Sequence, residues 1–142
     1  MSENIQYVRN IVEGKENLPN IAQLLGFKII DYCEGCTTVE INIDKRLFNP
    51  MNTVHGGVLC DIADAAMGLS FLPTLKNDET FTSIDLRITF LKPVREGKLI
   101  ASSKIIKRGK RLGYMECEIW NEAKKLVAKA SSTCMVLKKS DV

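Results

Sequence analysis

Residues Val54 to Leu72, VHGGVLCDIADAAMGLSFL, constrain the fold more than any other stretch of the chain. They are too many for one strand and contain no proline before Pro73, so they read as a helix. Projected at about 100° per residue, Val58, Ile62, Ala65, Ala66 and Leu69 gather on one side. The far side carries Gly57, Cys60, Asp61, Asp64, Met67, Gly68 and Phe71, small or apolar apart from the two aspartates. A helix that is small or apolar nearly all round is a buried helix. Gly57 and Gly68 flank the aspartates and leave room for a backbone or a ligand to come close.

The rest of the chain supplies what buries it. Residues 3 to 13 read as a short amphipathic helix, and IAQLLG as a second that Gly26 stops. GFKIIDYCEG and CTTVEINID alternate as strands and meet at Glu34-Gly35, a hairpin. After the long helix come FTSIDLRITFLKPV, with Ile84, Leu86, Ile88 and Phe90 expected to face inward, and then KLIASSKIIKR, RLGYMECEIWN and KLVAKASSTCMVLKK. Short connections, VREG, the Gly109 turn and Asn121 to Lys124, make these strands antiparallel neighbours. The expectation is an α+β domain with a curved antiparallel sheet wrapped around one long central helix. At 142 residues the chain fits a single domain, 1–142, with an N-terminal helical segment at 1–25 and a core at 26–138.

The formal charge of +3 is mild and its basic residues are spread out, which does not call for nucleic acid. MSENIQYVRN has no apolar stretch of the secretory kind, and Asp61 and Asp64 interrupt the best membrane candidate. A soluble cytoplasmic protein is expected, with no membrane or nucleic-acid partner. Its five cysteines are an odd count without a leader, which argues for reduced thiols. The C-x-x-C at Cys33 and Cys36 lies at a hairpin and not at the start of a helix, and no second pair exists to complete a zinc site. It reads as two cysteines beside a turn.

His55-Gly56-Gly57 falls where the long helix begins. The first amides of a helix have no internal partners and sit at the positive end of its dipole. Glycine lets a carbonyl approach them, so the segment can either hold an oxyanion or serve only as a tight turn. Asp64, nine residues after His55, is expected on the helix interior, where a carboxylate is costly unless paired or functional. It could activate water or attack a carbonyl, and Asp61, one turn earlier, is its competitor. No ligand set accompanies His55, the only histidine, and no nucleophile elbow is present. An orienting role for His55 at the helix entry is preferred to base catalysis.

The pattern of Asn49, His55-Gly56-Gly57 and Asp64 resembles the hotdog-fold acyl-CoA thioesterases of the phenylacetate-degradation type, as does SIDLRITFLKPVREGKLIASSKIIKRGKR downstream. The resemblance covers roughly Gly26 to Leu137. It implies a homodimer or homotetramer with active sites at the subunit interface and acyl-CoA as substrate. By that match Asp64 is the general base or nucleophile, the Gly56 amide polarises the thioester oxygen, Asn49 positions water or the carboxylate, and Ser83 orients water. Oxyanion donor and carboxylate can then come from different subunits. The family often has glycine three residues before the histidine; this chain has Asn52, which tolerates left-handed backbone.

Given the resemblance, the basic turn Lys107 to Arg111 offers Arg108, Lys110 and Arg111 as candidates for the coenzyme A phosphates, or is a solvated hairpin tip. Gly57 and Asp61 border the same site. Met67, with Phe71 and Leu72, lines the acyl pocket or is plain core. The resulting expectation is a thioesterase that needs no metal or cofactor beyond its substrate. A hotdog dehydratase or hydratase and a non-catalytic acyl-CoA binding protein stand as alternatives.

Overall fold

The computed structural model describes residues 2–142. Two short helices, α1 (Glu3–Val12) and α2 (Asn20–Leu25), open the chain. Ser2 caps α1 by accepting from the Ile5 amide, and Gly26, in the left-handed region, ends α2. The hairpin of β1 (Phe27–Cys33) and β2 (Cys36–Ile43) follows, then the central helix α3 (Gly56–Phe71). Four longer strands complete the chain: β3 (Glu79–Phe90), β4 (Gly97–Arg108), β5 (Leu112–Asn121) and β6 (Leu126–Lys138).

All six strands form one antiparallel sheet in the order β1-β2-β4-β5-β6-β3. The sheet curves around α3, which packs on strands from one edge to the other. Val58, Leu59, Ile62, Ala63, Ala66, Met67 and Phe71 of α3 meet Val39, Ile41, Leu99, Ala101, Met115, Cys117 and Ile119 from the sheet. The polar Ser70 on this face is satisfied: its hydroxyl donates to Ala66 O and shares a 2.9 Å hydrogen bond with Ser103 Oγ. The segment Gly56–Thr74 is apolar enough by composition to cross a membrane, but half of it is buried inside this wrap.

Several sequence expectations change. The strands β3 and β4 are not neighbours, although few residues join them. The link from Leu91 to Glu96 crosses the mouth of the wrap, with Leu91 N–H donating to Val127 O and Val94 O accepting from Val54 N–H. Consequently β3 pairs only with β6 and becomes a free edge. Of its apolar row, Leu86 and Ile88 pack on the core, but Ile84 and Phe90 are 54% and 53% exposed. A bulge between Ser83 and Asp85 offsets the register at Ile84. Cys33 and Cys36 are disulfide-bonded and not reduced, because the two-residue turn places them directly opposite, Cα–Cα 5.0 Å.

Gly113 on β5 passes directly beneath Phe71, and a methyl group there would overlap the ring. We therefore predict that Gly113→Ala destabilises the fold by about 1–3 kcal/mol, read by denaturant unfolding with an unchanged m-value.

Candidate active site

The entry to α3 is built by the loop before it. Asn49 clips that loop shut: its Oδ1 accepts from the Met51 and Thr53 amides, and its Nδ2 donates to Thr53 Oγ1 at 2.8 Å. These polar partners all lie within the loop. Asn52 has φ 59°, the left-handed conformation that asparagine accepts in place of glycine.

His55 is the N-cap of α3. Its Nδ1 accepts the Gly57 amide at 3.0 Å, so the ring proton sits on Nε2. The Gly57 amide is thereby consumed, and Val58 N–H turns back to His55 O. The Gly56 amide has no hydrogen-bond partner among the described residues. It is the free donor of the helix entry. Phe90, which sequence reasoning did not single out as a site residue, lies against it: a Cβ on Gly56 would stand 2.9 Å from the ring. Nothing local in the sequence signals that contact, which joins residues 34 positions apart.

Asp64 is exposed and not interior, as is Asp61. The face that α3 buries is rotated from the projected one toward Met67 and Phe71, which leaves the aspartates at the border of the wrap. Ser83 on β3 donates to Asp64 Oδ1 at 3.4 Å and lies 3.6 Å from Cys134 Sγ. Burial pushes the Cys134 thiol up, so it stays protonated beside Ser83 and offers no nucleophile. Burial, and then the charge of Asp64, push the Asp61 carboxyl up from its usual value. Asp61, Asp64 and Ser83 form the polar rim of a cavity of about 270 Å³ that is otherwise lined by apolar side chains.

The remaining candidates lie elsewhere. Met67 is 1% exposed in the core and does not line this cavity, while Leu72 does. Arg108 sits at the opposite end of α3 from Gly56. Its guanidinium stacks 4.9 Å over Phe71, donates to Thr74 Oγ1 and to Gly109 O, and places a cation at the helix C-terminus. Lys110 and Arg111 on the adjoining turn are exposed. The structure thus brings together Asp64, Ser83 and Asp61, and separately His55, Gly56 and Gly57. Among the described residues no group of three or more His, Cys, Asp or Glu side chains is placed to hold a metal.

Known proteins share the fold and the family pattern of this chain. Medium/long-chain acyl-CoA thioesterase YigI of Salmonella typhimurium is 31% identical over 127 residues, 79% of this chain and 82% of that one. Human acyl-coenzyme A thioesterase 13 is 24% identical over 136 residues, 94% of this chain and 96% of that one. The crystal structure of thioesterase HI1161 from Haemophilus influenzae superposes with a TM-score of 0.82 at 25% identity, covering 92% and 90% of the two chains. The curved sheet and central helix are those of the hotdog fold. Residues 51–128 match the thioesterase superfamily, a span from the HGG entry through the Asp64 face to β6, and the chain belongs to that family of thioester hydrolases.

Proposed function

We propose that this protein hydrolyses acyl-CoA thioesters at sites each assembled from two copies of the chain. One observation carries the reading. The free Gly56 amide and the accessible Asp64 carboxylate stand eight residues apart on one straight helix, roughly 12 Å along its axis. A carbonyl polarised by one and attacked through the other needs both within about 3 Å of the reacting atoms or one water away. That axial separation speaks against both groups coming from one chain and supports an antiparallel pair of α3 helices. The free edge of β3, with Ile84, Phe90 and Leu91 exposed, supports a two-fold pairing that would bring Gly56 of one copy toward Asp64 of the other.

In this reading Asp64 accepts a proton from a water, held in orientation by the Ser83 hydroxyl. The water oxygen adds to the thioester carbonyl, whose developing charge falls on the Gly56 amide of the other copy. The tetrahedral centre collapses and expels coenzyme A as a thiolate. A thiol pKa of about 8.5 makes that a good leaving group without an acid catalyst. His55, its Nδ1 occupied by the Gly57 amide, fixes the helix entry, and no step of the hydrolysis is routed through it. Lys110 and Arg111 are free to meet coenzyme A phosphates, whereas Arg108 is already held against Phe71 and Thr74.

Asp64→Asn is expected to lower kcat for release of free thiol from acyl-CoA by at least about 10²-fold, with KM little changed. An unaffected kcat would remove Asp64 from the chemistry. Asp61→Asn is expected to keep most of the activity. The folded chain holds the Asp61 proton to higher pH than the unfolded chain does, so ionised Asp61 costs stability once pH rises above the ordinary aspartate range. Melting curves of Asp61→Asn should therefore lie above the parent at pH 7 and coincide with it below about pH 3.

A further inference from the structure

The sheet does not close around α3. Its two edge strands, β1 and β3, leave a slot along the helix, and the N-terminal segment fills part of it. Val8 and Ile11 of α1 pack with Ile29 against Leu69 of α3 and Leu72 just beyond its end. What remains of the slot is the cavity of about 270 Å³ at whose rim Asp64 and Ser83 lie. Its floor is Ala65, Gly68 and Leu69 of α3, and Phe81 closes the β3 side. Leu18, Pro19 and Ile21 form the outer wall.

We infer that this cavity takes the acyl group of the substrate, that the acyl group is an unsubstituted alkyl or arylalkyl chain of about eight to ten carbons, and that the N-terminal wall at Leu18 and Ile21 sets that length. The inference rests on the thioesterase reading for the position of the thioester carbonyl. A carbonyl attacked through Asp64 has its coenzyme A side toward solvent, so the acyl side enters the cavity that Asp64 borders. The size follows from volume: an apolar cavity of about 150 Å³ holds one benzene, so this one has room for nearly twice as many carbons. The chemistry follows from the lining. Beyond the rim no polar side chain faces the space, so a carboxylate or hydroxyl on the far end of the acyl group would lose its water partners and find no others. Gly68 keeps the floor open, since a methyl group there would press to 3.3 Å of the Phe81 ring.

Ile21 is the residue to change, because it is 47% exposed on a surface helix and its replacement leaves the core alone. Thiol release is measured for CoA esters from acetyl to hexadecanoyl with the parent and with Ile21→Trp, both first shown to melt alike. Parent kcat/KM should rise about fourfold per methylene to roughly eight to ten carbons and then stop rising. In Ile21→Trp the break should move two or more carbons shorter. A flat profile, a rise that continues to hexadecanoyl, or a break that Ile21→Trp does not move would overturn the inference while hydrolysis itself stands. If no ester is cleaved, the function proposed above fails and the cavity is judged by calorimetry alone. Decanoyl-CoA binding at least about a hundredfold tighter than coenzyme A, and weakened in Ile21→Trp, would uphold the apolar site. Equal affinity for the two would refute it.

Discussion

The burial of one apolar helix governs everything else in this molecule. Helix α3 has too little polar surface to face water, so the sheet must curve around it, and Leu99, Met115 and Ile119 are fully buried in doing so. Six strands do not quite complete the turn. The incomplete wrap produces both features that matter for chemistry: a slot between the edge strands, and a helix border where two aspartates remain accessible.

Much of this is written in local sequence. The all-round apolar character of residues 54–72 requires a buried helix, and the histidine and paired glycines before it mark its entry. The cap that His55 makes to Gly57 spans only two residues, so local sequence is enough to place His55 at the helix entry. The N-terminal helices and the β1–β2 hairpin carry their own stop and turn residues, Gly26 and Glu34-Gly35, and form where those residues put them.

What was not legible depends on contacts far apart in the chain. Ser83 reaches Asp64 only because β3 is carried to the far edge of the sheet, and the short 91–96 link concealed that crossing by looking like a hairpin connection. The projected helix face was off by enough to place Asp64 inside and to leave Met67 open between pocket and core, because a wheel assigns equal weight to all directions while the real sheet covers only part of the circle. Cys33 and Cys36 read as free thiols from their count, yet the register of a two-residue turn sets them directly opposite. The basic turn looked like a uniform charged tip, but Arg108 alone folds back over Phe71 and leaves its neighbours in solvent.

The central claim is that each site draws its amide from one copy and its carboxylate from another, and subunit mixing tests it most directly. Gly56→Pro removes the free amide at a helix position that accepts proline, after a residue already extended, with only the exposed Phe90 ring to move. Co-expressed with a differently tagged Asp64→Asn chain, it should restore activity that neither variant shows alone. Random pairing would give about a quarter of the parent value, since half the dimers are mixed and each has one intact site. A mixture as inactive as its components, or a Gly56→Pro chain as active as the parent, would contradict the account.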